Sequence, residues 1–302
     1  MLDTVQQGIL DDVPRAARYL FLDLKHGSNP ADFLKKLPSI IDRYDVIGFG
    51  ATLLKTVNTE IDGLRNFPSY AVNGVQVPST PCDLWIWLRS DDRGDLIHKT
   101  RYISHMLKND FEMRQVIDAF QYRDSRDLTG YEDGTENPKD DEAIAAGIVQ
   151  GRGEGFDGSS FVAVQQWNHD LDTFKSLPQS EQDDIIGRRL ADNEEFDEAP
   201  ESAHVKRSAQ ESFEPEAFML RRSMPWANEE EAGLIFVAFG KTLDAYEAVL
   251  QRMTGSDDGI VDAMFRFTRP VTGSFYWCPP MKNGQLDLSL LNLKSVKKAA
   301  PV

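Results

Sequence analysis

Two cysteines in 302 residues, Cys82 and Cys278, are too few and too far apart for a disulfide framework or a CxxC metal signature, which suits a reducing cytoplasm. Basic charge is also scarce. Against 49 Asp plus Glu stand only 33 Lys plus Arg, a formal net charge of −16, which argues against nucleic acid and against an anionic membrane as partners. No window approaches the ~18 consecutive apolar residues of a membrane span. The first segment, "MLDTVQQGILDDVPRAARYL", has acids where a signal peptide needs a basic region and an apolar core, so neither export nor a membrane anchor is expected. Histidine is limited to five positions. His98 and His105 share one face of an expected helix with no cysteine or carboxylate to complete a metal set, and His26 sits in the turn "KHGSNP".

What remains is an ordinary globular composition, 41% hydrophobic and 27% charged, enough for a sizeable core or two smaller ones. Along the first half, "YLFLDL" (19–24) reads as a buried strand, 29–44 as a helix entered through Pro30, and "DVIGFGATL" (45–53) as a second strand. "DLWIWLR" (83–89), a helix over 95–109 and a strand over 111–123 repeat the order. In the second half come a strand at 159–167 and a helix at 180–190 with a Ser180/Asp183 capping box. A strand at 232–240, a helix at 242–255 and a strand at 273–280 follow. Strands alternating with single helices, twice over, predict an α+β fold of two ferredoxin-like modules. Module boundaries are expected at 1–124 and 159–302, with a connecting loop over 125–158. The segment 190–203 has six acids in fourteen positions and no apolar period, as a solvated loop would.

That connecting loop holds "GYEDGTENP" (130–138), two glycines, a proline and three acids in nine residues, a composition no regular helix or strand would choose. It is either an exposed acidic turn or a loop pressed against a ligand with a carboxylate at its tip. Farther on, "ESAHV" brings His204, and "FMLRRSMPW" (218–226) reads as an edge strand leading to a proline turn. Because side chains alternate along a strand, only one of Arg221 and Arg222 can point inward. An inward arginine beside a pocket would supply a fixed positive charge for an anion or a developing oxyanion.

Taken together, these segments resemble the dye-decolorizing peroxidases, in the DGTENP form of the bacterial intracellular branch, type B. "FRFTRPVTGSFYWCPP" is similar to that family's last strand, so the resemblance covers nearly the whole chain. It implies two ferredoxin-like modules of the dimeric α+β barrel type, with haem b in the second. It implies His204 as axial ligand of the haem iron, Asp133 as distal carboxylate and Arg221 as distal arginine. Asp262 would accept a hydrogen bond from the proximal imidazole, and Arg188 would meet a haem propionate. Gly134 and Thr135 belong to the motif loop at the cofactor, and Ser223 stands where many type B members carry asparagine. The implied activity is reduction of hydrogen peroxide through a ferryl intermediate, with single-electron oxidation of small aromatic or dye-like donors. The alternative it leaves is an intracellular haem-handling or iron-from-haem protein with incidental peroxidase activity. Bulky donors would need a surface aromatic as relay, but Tyr131, Trp226 and Tyr276 read better as core. Relatives form homo-oligomers, which is the expectation here. Some are packaged in encapsulin shells through a C-terminal extension. The tail 292–302 matches that pattern poorly and reads as a frayed terminus.

Overall fold

A computed structural model describes residues 2–293, and its organising element is a ten-stranded sheet. Its strands are β1 (Ala16–Leu24), β2 (Val46–Phe49), β3 (Leu84–Ser90), β4 (Phe111–Phe120), β5 (Ser160–His169), β6 (Leu220–Arg221), β7 (Met224–Ala227), β8 (Ala232–Gly240), β9 (Thr268–Pro270) and β10 (Ser274–Cys278). They lie in the order β9-β5-β10-β2-β3-β1-β4-β7-β8-β6, and β5 also pairs antiparallel with β8 along eight residue pairs from Gly233↔Asn168 to Gly240↔Phe161. That extra pairing closes the sheet into a barrel. β9 and β6 are left as short flanking strands on β5 and β8. The two halves of the chain meet at narrow seams, through Trp277↔Phe49 on one side and Ala119↔Trp226 on the other.

The strands read as near-continuous apolar runs because both of their faces are buried. On β3, Trp85 and Trp87 point into the barrel, where they stack with Tyr19 of β1 at ring separations of 6.3 and 5.9 Å. The alternate residues Leu84, Ile86 and Leu88 face outward onto Leu96, Ile103 and Leu107 of helix α1 (Arg93–Leu107). Asp92 caps α1 by accepting from the Gly94 amide. In the second half the outer layer includes α2 (Gln179–Ile186), α3 (His204–Ser208) and α4 (Asp244–Met253). Tyr246, Val249, Leu250 and Met253 of α4 form the apolar stripe that packs toward the sheet. Gly255, at φ +68, ends that helix as a left-handed stop.

Four local expectations are corrected. The helix expected over 29–44 is only Ala31–Leu34 followed by a 3₁₀ turn at Leu37–Ser39, because Pro38 falls inside the span and removes a donor. The strand expected over 45–53 stops at Phe49, and Ala51–Thr56 is helical. The Ser180/Asp183 capping box does not form: α2 starts after Pro178 with no side-chain cap, and the Asp183 carboxylate serves other donors. Finally, 218–226 is two short strands, and β7 is a seam strand between β4 and β8 rather than an edge. Pro225 is tolerated because β7 meets β4 at one residue pair only. Among the described residues no helix is long and apolar enough to cross a membrane. The tail reading made for 292–302 falls mostly on 294–302, which lie outside the described residues.

Candidate active site

Between the outer face of the second half of the barrel and its helices lies a cavity of about 1030 Å³ of non-atom space, part of it continuous with solvent. Trp167, Leu234, Phe236, Leu250 and Phe267 give it apolar walls. Its ionisable groups are Asp127, Tyr131, Glu132, Asp133, His169, His204, Arg221 and Tyr246.

His204 opens helix α3. Its Nδ1 lies 2.8 Å from Oδ2 of Asp262, whose side chain is 0% exposed and whose Oδ1 accepts from the Met264 amide at 2.9 Å. A fully buried carboxylate with both oxygens engaged fixes the ring and makes Nδ1 the donor. Nε2 is then the acceptor nitrogen, with no hydrogen bond to any described residue, and His204 lines the cavity. Helix α3 is itself anchored by Arg207, buried and paired twofold with Asp258 at 2.7 Å, and donating to the Arg252 carbonyl.

Asp133 and Arg221 reach the same cavity from the motif loop and from β6. The two arginines separate as strand alternation requires. Arg221 lines the cavity, whereas Arg222 turns away and donates to the carbonyls of Ile9 and Leu10. The Nε of Arg221 is buried without a hydrogen-bond partner among the described residues, an orphaned donor in the cavity wall. Asn137 couples the two elements: its Nδ2 donates to the Arg221 carbonyl at 2.7 Å and its Oδ1 accepts from the Arg221 amide at 2.8 Å. The motif asparagine thus acts as a strand partner for β6 and ties the loop that carries Asp133 to the strand that carries Arg221. Gly130 and Gly134 sit at φ +100 and +79, conformations that side-chain-bearing residues adopt only with strain.

Burial pushes the Asp133 carboxyl above the usual range, and the charge of Asp127 adds to this; the opposing charges of Arg221 and His204 do not overcome it. Burial alone would also raise Asp127. The His169 ring and the Thr129 hydroxyl and amide outweigh it and hold that carboxyl low. Two neighbouring carboxyls are therefore pushed apart.

Some residues singled out in the sequence lie elsewhere. Gly134 and Ser223 face a separate polar chamber that also touches Asp133 and Arg221 on the side away from the apolar walls. Ser223 Oγ accepts from the Val237 amide at 3.4 Å. Thr135 is exposed and accepts from Asn193 at 3.0 Å. Arg188 is absent from the cavity lining. Its guanidinium pairs with Glu136 at 2.9 Å and with Glu195 at 2.5 Å, so it clips the acidic loop 190–203 to the motif loop. His98 and His105 are exposed, and among the described residues no group of three or more His, Cys, Asp or Glu could hold a bare metal ion.

Sequence reasoning passed over Asp127 and His169, which pair at 3.1 Å in the cavity wall. Asp183, read from the sequence only as part of a capping box, accepts a hydrogen bond from the buried Tyr131 hydroxyl. That bond, supported by Gln179 and the Leu190 amide, fastens α2 to the motif loop. Tyr131→Phe is expected to lower stability by ~1–3 kcal/mol, since Asp183 would lose a buried partner; the chemical denaturation midpoint measures it.

Residues 124–283 match the family model "Dyp-type peroxidase, C-terminal". The chain is 30% identical over 208 residues to the dye-decolorizing peroxidase of Mycobacterium tuberculosis, a match covering 67% of this chain and 62% of that protein. The aligned stretch thus spans about three fifths of the length of that relative. Against the dye-decolorizing peroxidase of Brevibacterium linens it is 27% identical over 293 residues, 90% of this chain and 80% of that one. Among solved structures, a dye-decolorizing protein from V. cholerae superposes with a TM-score of 0.81 at 28% identity, covering 90% of this chain and 96% of that chain. A variant of DypB from Rhodococcus jostii RHA1 in complex with heme superposes with a TM-score of 0.83 at 26% identity, covering 90% and 94%.

Proposed function

Because the chain belongs to the Dyp-type peroxidase family, with relatives that fit its type B branch, we propose that it is a haem peroxidase. It reduces hydrogen peroxide and oxidises small aromatic or dye-like donors by single electrons. The observation that carries the reading is one cavity containing an imidazole with a fixed Nδ1 and an unpartnered Nε2, together with a half-buried carboxyl and an arginine with an orphaned donor. These residues fit haem b. The apolar walls suit a macrocycle, His204 Nε2 would be the nitrogen that holds its iron, and Asp262 would make the imidazole a stronger donor. Bound haem would supply the iron at which peroxide is cleaved and the oxidising equivalents are held.

The chain's own residues supply the rest. Peroxide must lose a proton from the oxygen that stays and gain one on the oxygen that leaves. Asp133 is the carrier between them, and Arg221 stabilises the charge that develops. Asn137 keeps the two in register through the Arg221 backbone. Arg188, committed to Glu136 and Glu195, we assign to bracing the loop and not to a propionate.

We read the barrel as two ferredoxin-like modules. In the first half the strands are ordered β4-β1-β3-β2, and in the second β10-β5-β8-β7, the same fourth-first-third-second order twice. The division 1–124, 125–158 and 159–302 follows, with the haem in the second module. A cytoplasmic homo-oligomer completes the proposal.

The test is steady-state oxidation of a small aromatic donor by the purified chain. Oxidation is expected only when haem and peroxide are both supplied, and well above that of free haem. A chain that binds haem, releases it readily to an acceptor and turns peroxide over no faster than free haem would contradict the reading.

A further inference from the structure

We propose that Asp127 and His169 are a proton-holding pair of the cavity, delivering protons for the water that Asp133 cannot complete; this rests on the peroxidase reading. His169 is the last residue of β5. Its ring meets Thr268 Oγ1 at 2.6 Å through Nδ1 and Asp127 Oδ2 at 3.1 Å through Nε2, and its side chain is 2% exposed. The ring also packs edge-on to Phe267, at 5.9 Å between centroids. Asp127 and His169 both line the cavity that holds Asp133, Arg221 and His204.

Hydrogen bonding allows both ring nitrogens a hydrogen. A threonine hydroxyl has one hydrogen, and that of Thr268 has two acceptors in reach, His169 Nδ1 at 2.6 Å and the Asn168 carbonyl at 3.1 Å. In the proton-holding state it lies on the carbonyl, so that the hydroxyl accepts from a hydrogen on Nδ1. Asp127 is held as a carboxylate by the Thr129 amide at 2.8 Å and the Thr129 hydroxyl at 2.6 Å, so it also accepts, which puts a hydrogen on Nε2. With both nitrogens donating, the ring is an imidazolium. Its charge is balanced by Asp127, which makes burial of the pair tolerable.

Chemistry supplies a use for such a pair. The overall half-reaction is H₂O₂ + 2 e⁻ + 2 H⁺ → 2 H₂O. When the O–O bond breaks, the leaving oxygen departs as water with both of the peroxide's own protons, one moved by Asp133. The oxygen left behind then needs two electrons and two further protons to become the second water. The donor supplies the electrons. If it gives them up at the surface, its own protons are released there, and the cavity must be supplied from within. His169 holds one transferable proton at a cavity wall, and Asp127, with 15% of its side chain exposed, is the member that can be replenished.

Two measurements on the full chain test this. ¹⁵N-histidine NMR at neutral pH, on the bare chain and on the chain carrying diamagnetic gallium protoporphyrin, should show His169 protonated on both nitrogens. In stopped-flow spectra of the haem-loaded chain, His169→Gln and Asp127→Asn should slow the donor-driven return by a larger factor than the peroxide-driven change, which Asp127→Asn also shifts through the loss of its charge beside Asp133. The donor-driven return should slow at least tenfold, with an enlarged solvent deuterium isotope effect. A singly protonated ring, an unchanged return in both variants, or equal slowing of both steps with loss of haem retention would overturn the role. The last of these is the signature of a purely structural pair. A wild-type chain that takes up no haem would overturn the parent reading and this role with it, so the two failures are distinguishable.

Discussion

Replacing Asp133 by asparagine is expected to slow the reaction with peroxide by ~10²–10⁴, the usual contribution of a positioned acid–base group, while making the protein more stable at neutral pH. Both effects have one origin. Burial holds the Asp133 carboxyl above its ordinary range, so the native state binds the proton more tightly than the unfolded chain does. Above the folded pKa the ionised carboxylate therefore costs stability. The cost is relieved as the pH falls through the folded pKa toward the unfolded one. Asparagine cannot ionise, so Asp133→Asn should melt above wild type at pH 7 to 8, and the gap should close in acid. The same shift appears in the kinetics. Only the carboxylate can take the peroxide proton, so the acid limb of the wild-type rate profile should lie higher in pH than an exposed aspartate would place it, and should vanish in the asparagine variant. Arg221→Ala tests the partner role and should cost ~10²–10³ in the same step, as loss of one charge-stabilising donor does. Stopped-flow rates over a pH series, with thermal melts of the same samples, check each part. A peroxide rate within tenfold of wild type in both variants would remove these residues from the mechanism.

Replacing His204 by alanine should have the larger effect on the cofactor itself. An outer-sphere partner of a metal-ligating imidazole is worth ~10–100-fold in affinity or activity, and Asp262→Asn is expected to fall in that range. It leaves the ring in place but replaces one acceptor oxygen of the buried pair with an amide. His204→Ala removes the donor nitrogen altogether, so haem affinity should fall by more than 100-fold and peroxide turnover with it. Helix α3 should survive the change, because Arg207 anchors it to Asp258 independently of the ring. Haem titration monitored by tryptophan quenching separates the two variants, and equal behaviour of His204→Ala and wild type would refute the ligand assignment.

The barrel strands were readable because a strand buried on both faces becomes an unbroken apolar run, as in "LWIWLR" and "AGLIFVAFG". The joining of the two halves was not readable, since the seams rest on single residue pairs that leave no pattern. The helix over 29–44 was overdrawn because its apolar spacing was weighed above Pro38. At the site, the motif loop stood out by its composition, and the His204 and Arg221 segments by their resemblance to the order of the family's motifs. The positions they take in the cavity depend on loops and strand ends that no local pattern encodes. Asp127 and His169 show the limit most directly. They lie 42 residues apart, one in an unremarked "RDLTG" stretch and one at a strand terminus, and only the end of β5 brings them together. Arg188, which the resemblance places at a propionate, is held in this structure by Glu136 and Glu195.

The central claim is that one cavity binds haem through His204 and turns it on peroxide. The most direct measurement is the visible spectrum of the wild-type chain titrated with haem, before and after one equivalent of hydrogen peroxide. A Soret band that saturates at one haem per chain and shifts on peroxide is the result the account predicts. A chain that takes up no haem, or one whose Soret band is indifferent to peroxide, would contradict it.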